Sequence, residues 1–365
     1  MKSHHPDYIL LGAVTILIVL GLVMLSSASN VKSLDQFGQP YYYLKHQLLY
    51  GLLIGVLCAS IAYKINYRVL KKLSFFIFLV AVALLLLTLL PGLGFRTGGS
   101  TRWISFGEYS FQPSEIAKLA LIIYLASWLD DKTKLINSFK NVFVPFLIIL
   151  SLVVGPIILQ PNIGTAGVMG LTAIAIFFAA GARFWQVGSI LLMGITALFA
   201  YVKIFPHATN RFLIFIHPEL DPQGAGYQIN QALLAVGSGR VFGLGLNQSI
   251  QKYNYLPEPM GDSIFAIIAE ELGFIGVAII MALFVTLAIR GFRIAKEAPD
   301  NYAKLLAVGI TSWLVIQAFV NIAAISGLMP LTGVPLPLVS YGGTAFLVSL
   351  SGVGILLNIS KYSKT

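Results

Sequence analysis

About ten times along its 365 residues the chain runs for roughly twenty positions almost without charge. The first such run, DYILLGAVTILIVLGLVMLSSAS, sets the pattern. At about 1.5 Å per residue, a helix of that length matches a hydrocarbon layer about 30 Å thick. Inside such a layer only helices and closed barrels satisfy their own backbone polar groups. The runs are continuous rather than alternating, which excludes a porin-like barrel. The chain is therefore predicted to be an all-α polytopic membrane protein of about ten transmembrane helices. They fall near 8–28, 44–63, 73–90, 114–129, 142–160, 163–180, 186–204, 263–289, 303–325 and 340–359. The fourth is short and contains Glu115 and Lys118. The first ends on Ser27-Ala28-Ser29, which resembles a cleavage site, but its full spanning length and the runs after it favour a retained helix.

Composition agrees. The chain is 57% hydrophobic and 10% charged, against about 25% charged in soluble domains. Its net charge of +10 is read as membrane topology and not as a nucleic-acid footprint, because Lys and Arg fall mostly in short connections. With the N-terminus inside, inner segments hold 15 of the 24 basic residues and outer segments 8, with Lys118 in a span. Both termini are thus expected to be cytoplasmic. That topology puts the long connections near 91–113, 205–262 and 326–339 on the outer face. The whole chain, 1–365, is expected to form one domain, and INQALLAVG within the largest loop suggests a helix lying at the interface. The single Cys58 and the scattered His4, His5, His46, His207 and His217 offer no disulfide framework and no metal spacing.

Chemistry-bearing residues cluster in those outer loops. In YLPEPMGDSIFAIIAEELG, Asp262 follows a Pro-rich turn and precedes an apolar helix expected from Ser263. Taken locally it is a helix cap. At the edge of low dielectric it is also a candidate general base, its pKa raised by burial. Glu270, about 12 Å further along the helix, and Glu271 are read as support inside the bundle, paired with basic or backbone groups. The loop GGSTRWISFGEYSFQPSEIAK supplies a turning Gly98-Gly99 pair, Arg102, Gln112, and Glu115 three residues before Lys118. Either Glu115 and Lys118 are an internal ion pair, or Arg102 and Lys118 form a cationic site for phosphate. QPNIGT, NRFLIFIHPELDPQGAGYQ with Arg211, and PLTGVPLPLVSYGGT with Ser340, Gly342 and Gly343 are further breaks, each also readable as a simple turn. No Walker A loop, dinucleotide fingerprint or nucleophile elbow is present. A substrate would therefore arrive in the membrane already carrying its leaving group.

These motifs, in this order over nearly the whole chain, resemble the SEDS family of FtsW and RodA proteins. The resemblance rests on DYILLGAVTILIVLGLVMLSSAS, TRWISFGEYSFQPSEIAKLALIIYLA, QPNIGT, the long stretch from GAGYQINQALLAVGSG to AIIAEELGFIG, and GLMPLTGVPLPLVSYGGT. SIQKYNYLPE is more similar to the FtsW branch. The resemblance implies a peptidoglycan glycosyltransferase in the bacterial cytoplasmic membrane, polymerising lipid II on its outer face for division or cell shape. It implies a class B penicillin-binding protein as crosslinking partner, with other divisome or elongasome membrane proteins. It places Asp262 at the family's loop aspartate. Arg102, Lys118 and Arg211 then become candidates to hold the pyrophosphate, with Gln112 in the substrate site and Glu115 orienting Lys118. Two departures stand out: Gly261 precedes Asp262 where the family has Thr, and Asn162 replaces an acidic residue. Asp262 and Asn162 are the candidates for a divalent cation, Mg or Mn, and the loss of a carboxylate counts against it. No other cofactor is expected. The competing readings are a lipid II flippase and a non-catalytic scaffold for the transpeptidase.

Overall fold

The computed structural model describes residues 5–90, 94–97, 100–106, 109–221 and 223–363. Lys2, His4, the Gly98-Gly99 pair and Lys364 lie outside the described residues. The chain is mostly helical. Helix α1 (Tyr8–Ala28) is followed by a short α2 (Asn30–Phe37) and α3 (Tyr42–His46). A π-helical turn, Gln47–Leu53, joins α3 to α4 (Ile54–Lys64), and α5 spans Tyr67–Leu87. After a small sheet come α6 (Pro113–Asp131), α7 (Val144–Leu159), α8 (Ile163–Ala179) and α9 (Phe184–Ile204). Two further helices, α10 (Pro206–Ile216) and α11 (Ala225–Ser238), precede α12 (Ile264–Lys296), α13 (Asn301–Ile325) and α14 (Gly343–Ser360).

Among the described residues eight helical segments, against about ten expected, are long and apolar enough to cross a membrane, and α8 is apolar but shorter. The remaining long helix, α6, carries Glu115, Lys118, Asp130 and Asp131. Helices α13 and α14 are buried over most of their surface, whereas α9 is exposed over most of its length. A helix apolar all round is stable at the centre of a bundle or against lipid tails, and this chain uses both solutions.

The two ends of the bundle differ. At one end the connections are short and tied by ion pairs: Asp7 caps α1 and pairs with Arg290 at 2.7 Å. Near it Tyr67 donates to Asp300 at 2.7 Å, and Lys71 meets Asp130 at 2.6 Å. The other end carries the long connections. The first of them holds three antiparallel strands, β1 (Gly94–Thr97), β2 (Ser100–Phe106) and β3 (Tyr109–Phe111), with Trp103 opposite Phe95 and Ile104 opposite Phe111. This sheet is an addition to the all-α expectation. The stretch 205–262, expected as a loop, holds α10 and α11. The expected helix near 228–236 lies within α11, which packs Ile229, Ala232 and Ala235 inward.

Helix α12 is not continuous. Gly273 takes φ 65° and ψ −164°, a conformation open essentially only to glycine. The freed carbonyls of Glu270 and Glu271 accept from Leu244 and Gly245 at 2.9 and 3.0 Å. The N–H groups of Phe274 and Ile275 donate to Arg240 and Val241. The loop after α11 is thus threaded into the break, and every broken helical bond named here is replaced. From Phe274 to Lys296 the second half is about 35 Å long, enough to span a bilayer by itself. The first half, with Glu270 and Glu271, stands beyond it as a pedestal for the loop.

A Cβ on Gly273 would lie 2.3 Å from the backbone nitrogen of Gly243. Gly273→Ala is therefore expected to lower the apparent Tm by several degrees or prevent accumulation in membranes. Gly170→Ala, where a Cβ meets nothing within 4 Å, is expected to leave both unchanged. Equal thermal-shift curves for the two variants would contradict this account of the break.

Candidate functional site

Helix α13 presents Trp313, Gln317 and Asn321, spaced four apart and so on one face. The segment after this helix, from Pro330 to Leu336, has no regular structure, so its buried carbonyls need partners. Gln317 Nε2 donates to the Pro335 carbonyl at 2.9 Å. Asn321 Nδ2 donates to the Val334 carbonyl and to the Asp262 carbonyl, both at 2.8 Å. One amide thus joins the turn before α12 to the turn before α14.

Asp262 does not cap α12. The helix begins at Ile264 with Ser263 in the cap position and no side-chain cap hydrogen bond. Instead, Gly261 and Ser263 both donate their N–H groups to the Glu258 carbonyl, closing a tight turn with Asp262 inside it. The turn takes over the role expected of the cap. Asp262 is half-buried, and its Oδ1 is sealed from solvent without a hydrogen-bond partner. A Cβ on Gly333 would stand 3.9 Å from Asp262 Oδ2. Gly333 has φ 67°, so a glycine there both allows the turn and leaves room at the carboxylate. Burial, then the nearby charge of Glu258, raise the Asp262 pKa to about 6. The N–H groups of Asp262 and Ser263 and the charge of Arg211 act in the opposite direction.

Two arginines converge on this region. Arg211 lies exposed on α10, in a cleft lined also by Phe215, Ile229 and Leu331. Arg102, on β2, donates through Nε to the Gln160 carbonyl at 3.1 Å and through Nη2 to the Pro161 carbonyl. Its pKa is lowered by burial and then by Arg211, so the two cations feel one another. Part of Arg102 is therefore spent holding the turn between α7 and α8 in place.

Glu115 and Lys118 form a buried ion pair at 2.8 Å. Lys118 also donates to Gln317 Oε1 at 2.7 Å, which accepts a second bond from Trp313 Nε1 at 2.8 Å. Lys118 is only 2% exposed, so it reaches the site through Gln317 and the Pro335 carbonyl, not through an open surface. Gln112 ties its N–H to Thr344 Oγ1 at 3.3 Å, fixing α6 to α14. Glu270 accepts from Ser249 Oγ and the Ile250 N–H, and Glu271 from Ser27 Oγ, the Asn247 and Ser249 N–H groups and Lys252. Both glutamates therefore hold the loop that leads to Asp262. Ser340 Oγ accepts from the Leu336 N–H at 2.8 Å, and the Gly342 N–H donates to Gln47 Oε1 at 3.3 Å. Gly343 opens α14, and a Cβ there would meet nothing within 4 Å.

The structure brings Asp262, Arg211 and Arg102 into one region and links Lys118 to it indirectly. It does not join Asn162 to Asp262. The Asn162 side chain caps its own helix through the Thr165 N–H at 3.4 Å. Among the described residues no three His, Cys, Asp or Glu side chains group as metal ligands. This donor set does not fit a resident divalent cation, which prefers several carboxylate oxygens. Sequence reasoning missed Gln317, Asn321 and Gly333. The available signal was two amide side chains in an otherwise apolar helix, ITSWLVIQAFVNIAAI, one helical turn apart.

The family model described as "Cell cycle protein" and labelled FtsW/RodA/SpoVE matches residues 8–365. Stage V sporulation protein E of Bacillus subtilis is 43% identical, over 100% of this chain and 99% of its own length. A probable peptidoglycan glycosyltransferase FtsW of Geobacter sulfurreducens is 41% identical, over 97% and 95% respectively. Among solved structures, a chain from a peptidoglycan synthase complex, studied for coordination of polymerization and crosslinking, gives a TM-score of 0.82 at 27% identity, covering 98% of both chains. The rod shape determining protein RodA of Thermus thermophilus gives 0.71 at 27% identity, also over 98% of both chains.

Two outcomes follow from the geometry. In the folded protein Asp262 holds its proton up to about pH 6, against about 4 in an unfolded chain, so ionising it opposes folding. Its cost is absent below the unfolded pKa, grows between about pH 4 and 6, and stays constant above. Asp262→Asn is expected to stabilise the protein by on the order of 2 kcal/mol at pH 7 and not at pH 4, as read by thermal unfolding. An equal gain at both pH values would contradict the burial argument. Asn321→Ala leaves the Asp262 and Val334 carbonyls unpaired and is expected to cost about 2–4 kcal/mol; a change under 0.5 kcal/mol would show that the amide does not hold the two turns.

Proposed function

The chain belongs to the FtsW/RodA/SpoVE family of cell cycle proteins, and on that premise we propose that it is a peptidoglycan glycosyltransferase polymerising lipid II. The observation that carries the proposal is Asp262: a carboxylate with one sealed, unpaired oxygen and a pKa of about 6, under the influence of the Arg211 charge. A general base works best when its pKa lies near the operating pH. The donor sugar is α-linked to a lipid pyrophosphate and the product link is β-1,4, so the reaction inverts the anomeric carbon in one displacement. The acceptor 4-hydroxyl oxygen attacks that carbon, its proton passes to Asp262, and the bond from carbon to pyrophosphate oxygen breaks. The leaving pyrophosphate gains negative charge as the bond lengthens, and Arg211, with the remaining capacity of Arg102, stabilises it. Lys118 acts from behind: its ammonium fixes Gln317 and hence the Pro335 carbonyl, holding the turn that faces the base.

The protein is a multi-pass membrane protein. We place it in the bacterial cytoplasmic membrane with both termini inside, so that Asp262 works on the outer face where the glycan is needed. The likeness to a chain from a synthase complex concerned with polymerization and crosslinking supports a class B penicillin-binding protein as partner. Glu115 and Lys118 are paired and sealed rather than lining a polar path, which favours the polymerase over a transporter.

Purified protein with its transpeptidase partner and labelled lipid II tests this. Asp262→Ala is expected to reduce polymer formation by about 10²–10⁴-fold, with the fold intact. Wild-type activity is expected to fall as pH drops through about 6, where the proton occupies the base. Polymerisation by Asp262→Ala at the wild-type rate would overturn the assignment.

A further inference from the structure

Helix α14 begins just after the Ser340–Gly342 turn and ends at Ser360, about 27 Å further along. At that far end the described side-chain carboxylates are already committed to cations. Asp7 pairs with Arg290, Asp130 and Asp131 with Lys71, Asp300 with Arg68, and Glu297 with Arg293. Two lysines are left over. Among the described residues neither Lys64 nor Lys361 has an acidic partner.

These two lysines meet at one turn. Lys361 Nζ lies 3.9 Å from the centre of the Tyr63 ring and donates to the Tyr63 carbonyl at 2.8 Å. Lys64, the next residue, is exposed at the end of α4. Asn358 locks the same turn: its Nδ2 donates to the Tyr63 carbonyl at 2.6 Å, and its Oδ1 accepts from the Tyr67 N–H at 3.2 Å. Tyr362 meets Tyr67 edge-on at 5.9 Å. A ring face and a carbonyl attract an ammonium but do not neutralise it. Burial lowers the Lys361 pKa, the direction expected where no carboxylate offsets desolvation. Charges that only set topology need no fixed place within a loop. Lys361, docked on a ring and a carbonyl, has one.

Next to this turn the helices present apolar surface. Helix α4 packs on α14, whereas α5 packs on α6. Helix α4 leaves Leu57 and Ile61 exposed, four residues apart, and α5 leaves Val69, Leu73 and Phe76 exposed at spacings of four and three. Each set lies on one helix face.

We propose that the turn from Tyr63 to Tyr67 binds an anionic glycerophospholipid, its phosphodiester between Lys64 and Lys361 and its acyl chains along the exposed faces of α4 and α5. A phosphodiester supplies the missing negative charge and the acceptor oxygens that two ammonium groups need. Two acyl chains cover the apolar faces that adjoin the turn. A soluble anion would satisfy the lysines and leave those faces bare, and an apolar partner helix would do the reverse. Arg68 borders the turn but is already paired with Asp300. The inference rests on the chain being a membrane protein and is independent of the polymerase reading.

The full chain, purified in neutral detergent, is titrated with dioleoyl phosphatidylglycerol or with phosphatidylcholine of the same chains, and bound lipid is counted by native mass spectrometry. The wild type is expected to bind phosphatidylglycerol several-fold more tightly than phosphatidylcholine. Lys64→Gln with Lys361→Gln is expected to weaken phosphatidylglycerol binding roughly tenfold and to leave phosphatidylcholine binding unchanged. Lys134→Gln with Lys140→Gln removes the same charge from exposed positions between α6 and α7 and is expected to change binding by less than about twofold. Lys64→Gln alone alters only an exposed side chain and is expected to cost about threefold, which decides the matter even if the double variant does not fold. Equal losses in the two double variants would reduce the effect to general surface charge and overturn the site. Equal affinity of the wild type for the two lipids would overturn it too. Glycerol 1-phosphate, which carries the head charge without chains, is expected not to displace the lipid; displacement would show an anion site in place of a lipid site.

Discussion

The side-chain amide of Asn321 ties together the two turns on which the site stands. Its Nδ2 is bonded to the Asp262 and Val334 carbonyls at once. Irregular backbone is tolerated at membrane depth only where something satisfies its polar groups, and the segment from Pro330 to Leu336 has no ladder of its own. Gln317, one turn earlier, does the same for Pro335 and is itself fixed by Lys118 and Trp313. An ion pair within α6, an amide pair on α13 and two turns thus form one connected network. Asp262 stands at its end. Its carbonyl is held by Asn321, and Oδ1 of its side chain has no hydrogen-bond partner.

A second device works from below. The break at Gly273 divides α12 into a membrane-length shaft and a short pedestal, and the loop after α11 fills the gap with backbone bonds. Glu270 and Glu271 then gather the N–H groups of residues 247, 249 and 250, with Lys252 neutralising Glu271 at 3.3 Å. Carboxylates that would be costly alone become economical structural ligands when each accepts several hydrogen bonds. The loop leading to Asp262 is consequently anchored at both of its ends.

Much of this was legible in the sequence. Among the described residues apolar runs located the long helices, because a segment that must satisfy its own backbone in lipid needs both length and an apolar composition. Motif order pointed to Asp262, and the twin glutamates, read as support, accept N–H groups from the loop that precedes it. What escaped depended on partners distant in sequence. The cap reading of Asp262 failed because Glu258, four residues before it, supplies the carbonyl that closes the turn. The two strands flanking Ser100–Phe106 were hidden by their brevity. Asn321 is one polar residue in an apolar span, and its contacts with positions 262 and 334 are set by the fold alone. Arg102 read as a free cation, and only the fold shows how much of its guanidinium is committed to the Gln160–Pro161 turn.

The central claim is that burial holds Asp262 ready to take a proton near neutral pH. Infrared difference titration of the wild type against Asp262→Asn reads that group directly, through the carbonyl stretch of its protonated form. The account requires a band that vanishes with a midpoint at about pH 6 and that follows the acid limb of glycan synthesis in the same preparation. A midpoint near 4, the ordinary carboxylate value, would contradict it.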